Sequence, residues 1–478
     1  MTEFEEWGEQ IESQNLYLKH YQLVTCASIV ILMQLGFTFL EVGSVRVQFT
    51  KSILMKNMMD MIFSALVYFS IGFGFAFGNG TPTGGFMGTS NFFLVSNENV
   101  SDIHHSPAGW MYHWSFCATS ATIVAGAIAE RTQFVAYGVY SIVGSSVLYP
   151  VISHWIWSDT GWASRANPES VISPVLDDAG GIAVHTSAGI CSLVACYFVG
   201  PRQHRLDSKG NLVSDLPRQN QAFIVFGMLV LWFSWYAFNA GTAILEAGNH
   251  ESLMGNIAAY TTVCTASSGA LYLVLHMLLR KKLPEPSDLC NGILGGLVCS
   301  TSGCSVIQPY YGIIIGSVGG AVVMAISKLL TKLKIDDVVD AVAVHLGCGV
   351  WSAISAPLFS DTHHNTNSGS KFKYSTCGLM TGCEEGWKYL GSNLLLTLLT
   401  ILYVTVVMAP ICLILRKFKI LRIRNESERH GVDMVEFKGP AYSNDLKSRT
   451  TNMFNDVRNP SPVIMKRETI TSMTVVEE

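Results

Sequence analysis

A chain of 478 residues that is 49% hydrophobic and only 14% charged falls short of the ~25% charge with which a soluble domain covers its surface, so its solvent is lipid. A net charge of −4, with no basic patch interleaved with aromatics, argues against a nucleic-acid partner. The chain shows no nucleophile triad, metal cluster or nucleotide loop, so it does not read as an enzyme, and neither a metal nor a cofactor is expected.

Residues 1–20 form an acidic segment without the basic-then-apolar order of a signal peptide, and they read as extracellular. Apolar stretches follow. Because about 20 apolar residues cross a bilayer core as a helix, an all-α polytopic protein with eleven transmembrane helices is expected, at 21–45, 53–79, 108–129, 134–157, 177–200, 220–245, 254–279, 287–304, 309–331, 337–359 and 386–415. The eighth is short and rich in Gly and Ser. Most of the twelve cysteines lie inside these stretches as small apolar residues.

Lys and Arg gather in the loops after odd-numbered helices, as at Arg46, Arg131, Arg202, Arg205 and Lys281, and again behind the last helix from Arg416 to Arg424. The alternate loops are nearly bare. This asymmetry places the N-terminus outside and the C-terminus inside. The sequon Asn99-Val100-Ser101 then lies outside, making Asn99 a glycosylation candidate. Cys377 and Cys383 share another outside loop, where a disulfide could persist. A second sequon at Asn425 falls inside, so this support is weak. Residues 419–478 lose the apolar pattern and read as a cytosolic, partly disordered tail.

One stretch is written twice. Asp177 to Ile190 aligns without gaps on Asp337 to Val350, matching Asp177 with Asp337, Ala183-Val184-His185 with Ala343-Val344-His345, and Gly189 with Gly349. His185 falls on the fifth helix and His345 on the tenth. Five helices followed by five gives halves of opposite topology, a 5+5 inverted repeat (21–200 and 220–359) within a transport domain at 21–418, completed by the helix at 386–415. Such repeats place a functional site near the midplane. A chance match of Ala, Val and Gly is the competing reading. Imidazoles inside membrane helices generally mark a pathway. Two His without a third ligand make a poor zinc site.

Asp177, Asp337 and Asp340 stand at helix starts. They can serve as caps, or they can give a negative potential that favours a cation. Tyr112, Phe116, Trp155, Trp157, Trp232, Trp235, Tyr236 and Phe238 cluster toward the outer ends of three helices. They can form an interfacial belt or a cation–π cage for a small ammonium-like ion.

The motifs Leu32 to Ser44, Ala118 to Thr132, Tyr149 to Trp157, Asp177 to His185, Trp235 to Thr242 and Asp340 to His345 together resemble the ammonium transporter branch of the Amt/Mep/Rh family, over roughly residues 20–440. The resemblance implies a recruitment site for external ammonium made of Tyr112, Phe116, Trp157 and Thr242, stabilised by Asp177. It implies a gate of Phe116 stacked on Phe238. It implies a narrow pore lined by the pair His185 and His345, with Trp235 beside it and Asp337 and Asp340 as structural or proton-relay candidates. It further implies a homotrimer in the lipid bilayer that carries ammonium or ammonia, with methylammonium as an analogue. Deprotonation makes such a pore sensible, because ammonium can cross as neutral ammonia and potassium cannot shed its charge. Asp178 departs from the family pattern beside Asp177, and Phe437-Lys438-Gly439 departs in the tail. An electroneutral ammonia or carbon dioxide channel of Rh type and an ammonium sensor are the alternatives. A sequon and a long polar tail point to a multi-pass plasma membrane protein of animal type.

Overall fold

Hydrocarbon offers backbone amides no hydrogen-bond partner, so each apolar stretch satisfies its own as a helix. The computed structural model describes residues 3–80, 83–95, 103–203, 205–207, 211–212, 216–245, 250–361 and 377–442. Its long helices are α1 (Glu3–Ser44), α2 (Val47–Phe77), α3 (Pro107–Ala127), α4 (Phe134–Trp157), α5 (Gly181–Val199), α6 (Gln221–Leu245), α7 (His250–Arg280), α8 (Pro286–Cys299), α9 (Pro309–Lys332), α10 (Val342–Phe359) and α11 (Gly386–Lys417). Among the described residues nine helices are long and apolar enough to cross a membrane; α3 and the 14-residue α8 are not among them. The first helix starts well before residue 21, so most of the N-terminal segment continues α1 instead of standing apart.

Helix α1 lies along α6, α7 packs on α8 and α9, and α5 packs on α11. One continuous cluster of buried apolar side chains, from Leu23 to Leu421, joins these helices.

The two copies of the repeated stretch are irregular in the same way. Each opens with a wide π-helical turn, Gly181–Thr186 in α5 and Val342–Gly347 in α10. The wide turn of each helix rests on the regular part of the other. Glycines permit the approach. A methyl at Gly189 would sit 2.3 Å from the Leu346 amide nitrogen, and one at Gly349 would sit 2.7 Å from Thr186 Oγ1. These are the two glycines that the sequence alignment pairs.

At the end of the bundle nearest Arg131, buried charges are paired. Glu130 meets Arg46 at 2.7 Å, and Asp336 meets Arg202 at 2.8 Å and Arg205 at 3.1 Å. Burial alone would raise the Asp336 carboxyl. Hydrogen bonds from Arg202 and the charges of Arg131 and Arg202 outweigh that and hold it below the ordinary carboxylate range. Its stabilisation is therefore present above the unfolded carboxylate pKa and is lost as pH falls through the lowered folded value.

The tail docks on this same end as far as residue 442. Two short helices, α12 (Asn425–His430) and α13 (Val432–Val435), place Asp433 where its oxygens accept from the Lys51 and Ser52 amides at 2.8 and 3.0 Å. Asp433 thereby supplies partners to amides in the first turns of α2, where a carboxylate also suits the helix dipole. Glu428 bonds Arg422 and the Gln203 amide, and Val432 joins a small apolar cluster with Phe49 and Ile53. The remaining tail residues, 443–478, lie outside the described ones.

Gly189→Ala and Gly349→Ala should each lower stability by about 1–3 kcal/mol, the usual cost of overpacking. A lower melting temperature in detergent, against an unchanged one for Gly391→Ala, where a methyl meets nothing within 4 Å, is the expected result.

Candidate functional site

The site is built from the starts of α5 and α10. Asp177 precedes α5, and its Oδ2 accepts from the Ile182 and Ala183 amides, both at 3.0 Å. Asp337 precedes α10, and its Oδ2 accepts from the Val342 amide at 2.7 Å. Each carboxylate thus closes the first turn of its helix from the matching position, five residues before the amide that it holds. Asp177 Oδ1 also accepts from Ser302 Oγ at 2.7 Å.

With their first turns held, the two helices bring their histidines together. His185 Nδ1 lies 3.2 Å from His345 Nδ1, and both rings are buried. One Nδ1 must carry the proton and the other must accept it. Neutral imidazole has one donor and one acceptor, so the pair presents one Nε2 as acceptor and one Nε2–H as donor. Trp235 stacks on His185 at 5.1 Å and 11°, which fixes the ring plane.

A row of rings leads up to this pair. Trp157 lies 6.1 Å from Phe116, Phe116 stacks on Phe238 at 3.9 Å and 8°, and Phe238 is 5.8 Å from His185. Beyond the His185–His345 contact, Phe37 is 6.2 Å from His345. Tyr112 Oη donates to the Phe238 carbonyl at 2.8 Å, tying α3 to α6 behind the stack. Trp157 Nε1 donates to the Asp177 carbonyl at 2.7 Å. Asp177 thus holds both the start of α5 and the outermost ring of the row. Thr242 follows Gly241, against which Tyr112 packs, and its Oγ1 donates to the Asn239 carbonyl at 2.7 Å.

Tyr112, Phe116, Trp235 and Phe238 are buried and Trp157 is half-buried. Trp155 and Trp232 stand apart from the row: Trp155 Nε1 donates to the Phe86 carbonyl at 2.8 Å and Trp232 Nε1 to Tyr236 Oη at 3.1 Å. Asp337 and Asp340 lie at the far start of α10. Asp340 accepts from Asn291 Nδ2 at 3.0 Å and Ser327 Oγ at 2.9 Å, bonds that fasten α10 to α8 and α9. Cys377 and Cys383 are paired as a disulfide. Asn99 lies outside the described residues. Among the described residues no group of three or more His, Cys, Asp and Glu is placed to hold a metal ion.

Sequence reasoning did not find Ser302, Ser305 or Arg165. Ser302 completes the bonds of Asp177. Asp178, which departs from the family pattern, pairs with Arg165 at 2.8 Å and accepts from Ser305 Oγ at 2.6 Å. The pair of adjacent aspartates therefore clamps α5 to the loop after α8. Nothing in the local sequence Ser300 to Ser305 signals this, since serines are common in loops.

Asp177→Ala should strip partners from two buried amides and the Ser302 hydroxyl. At ~1–3 kcal/mol for each stranded group, the variant should melt far below the parent in detergent. Ser302→Ala removes a single bond and should cost much less. Equal melting of all three proteins is the contrary result.

A profile of the Ammonium Transporter Family matches residues 21–442. The chain is 34% identical over 445 residues to Ammonium transporter 1 member 3 of Solanum lycopersicum, covering 91% of this chain and 95% of that one. It is 36% identical over 437 residues to Ammonium transporter 1 member 1 of Arabidopsis thaliana, covering 88% and 85%. Among solved structures it resembles a protein titled Sensor Amt Protein with a TM-score of 0.77 at 28% identity, covering 89% and 99%. Its fold also matches Saccharomyces cerevisiae Mep2 with a TM-score of 0.73 at 22% identity, covering 85% and 89%. With the profile spanning most of its length, this chain belongs to the ammonium transporter family.

Proposed function

We propose that the chain transports ammonium by binding it at the outer aromatic rings, removing its proton, and passing ammonia between Phe116 and Phe238 to the histidine pair. The observation that carries this reading is the His185–His345 contact at 3.2 Å, at the crossing of two helices of matching sequence. Trp157 and Phe116 offer π faces to a cation, worth roughly 0.5–2 kcal/mol, with Tyr112 and Thr242 beside them. Asp177 positions Trp157 through its backbone carbonyl. Past the Phe116–Phe238 stack the walls are rings, and a bare cation there would lose its water with little in return. Ammonia loses far less, and the donor–acceptor pair at His185 and His345 can hydrogen-bond it on both counts.

The same reading takes the chain as an eleven-helix protein of the plasma membrane with its N-terminus outside and C-terminus inside, assembled as a homotrimer. The Lys and Arg asymmetry of the loops supports the orientation. Transport is electrogenic, the proton crossing by a path separate from ammonia. The animal-type assignment rests on sequence features alone, since the two sequence relatives named above are from Solanum lycopersicum and Arabidopsis thaliana.

The test is expression in cells without ammonium uptake, with labelled methylammonium uptake and voltage-clamp current recorded together. The parent should carry both, with ammonium and methylammonium but not potassium. His185→Ala and His345→Ala should each reduce uptake by about tenfold or more, the equivalent of one hydrogen-bonding group worth ~1.4 kcal/mol. Uptake without current supports the electroneutral alternative. Undiminished uptake in both variants overturns the pore reading.

A further inference from the structure

A carboxylate waits on the far side of the histidine pair. A cavity beyond His345 is lined by Phe37, Val344, His345 and Glu41 of α1, among others. Glu41 is 1% exposed, and its Oε2 has no hydrogen-bond partner among the described residues. Its surroundings are polar and carry both signs of charge. Asn57, Asp60 and Lys56 face it from α2, the Gly126 backbone from α3, and His345 from α10 across the cavity. Lys56 Nζ donates to the Thr132 carbonyl at 3.0 Å, and Asp60 Oδ2 accepts from Tyr137 Oη. Gln34 Nε2, Asn57 Oδ1 and Asp60 Oδ1 are likewise buried without partners among the described residues. Gly126 makes the room: a methyl there would stand 2.9 Å from Glu41 Oε1.

A buried carboxylate in that position is costly unless a proton or a cation visits it. We propose that Glu41 is the inner proton donor of the transport cycle, the group that returns ammonia to ammonium after it leaves His345. This rests on the transport reading above. The balance is simple. Ammonium gives up one proton at the outer rings, and that proton reaches the Glu41 carboxylate by the separate path and makes it a carboxylic acid. Ammonia arriving from His345 takes the proton through its nitrogen lone pair. Ammonium leaves, and the carboxylate is restored. In this role Glu41 touches the substrate itself, so its loss alters the charge that accompanies each substrate molecule and not only the folding of α1.

The test measures charge per labelled methylammonium in the same cells, for the parent, Glu41→Gln and Glu41→Asp. Glu41→Gln keeps the shape and removes the proton carrier; its ratio of charge to substrate should fall at least severalfold, while Glu41→Asp keeps part of the parent's ratio. Should Glu41→Gln fail to reach the surface, Glu41→Asp and Gly126→Ala decide, since one shortens the carboxylate and the other crowds it. A lowered ratio in either supports the proposal. An unchanged ratio in Glu41→Gln, or in both fallback variants, overturns it. If the parent itself moves substrate without charge, the electrogenic reading fails and the proposal with it, and that failure is visible without any variant.

Discussion

The centre of this protein depends on backbone amides that only a side chain can satisfy. Helices α5 and α10 both begin inside a packed bundle, where an unpaired amide costs several kcal/mol. Asp177 and Asp337 reach forward five residues to supply the missing acceptors. Holding those amides permits the wide first turns, and the wide turns set where the following side chains point. The placement of both histidines follows from two carboxylates that never touch them.

Close crossing is the second constraint. Gly189 and Gly349 let α5 and α10 pass backbone to backbone, with the wide turn of each lying on the other. Small residues are what bring membrane helices together, since lipid gives no hydrophobic incentive. The same closeness sets the Nδ1–Nδ1 contact at 3.2 Å. A geometry with one donor and one acceptor then results from the pair sharing a single proton, without a formal charge at the contact. Polarity is concentrated instead at the two ends: Asp177 with Ser302 and Asp178 with Arg165 at one, and the Glu130, Asp336 and Arg202 network with the docked tail at the other.

Along the proposed path the chemistry runs from π faces, through a closed aromatic stack, to imidazole, and then to a carboxylate. This order suits a substrate that sheds a proton early and regains one late. It suits a permanent cation poorly, because the neighbours from Phe238 to His345 are rings.

The amino-acid sequence by itself determined the membrane class, the approximate positions of the apolar helices, and the symmetry that pairs Asp177 with Asp337 and His185 with His345. These are local or periodic signals: hydrophobic length, spacing and a repeated word. Tertiary structure alone decided what those residues do for one another. The wide turns could not be read because helix propensity does not encode i to i−5 bonds. The roles of Ser302 and Ser305 came from a loop far away in sequence, and that of Arg165 from the loop before α5. Asp340 turned out to fasten α10 through Asn291 and Ser327, and residues 425–442 of the tail turned out to be docked through Asp433 and Glu428. Glu41 is one carboxylate in an apolar run of sequence, and only packing placed it in a cavity with His345. Side chains from α1, α3, α4, α5, α6 and α10 meet on this path, and sequence spacing carries no information about contacts between helices so far apart along the chain.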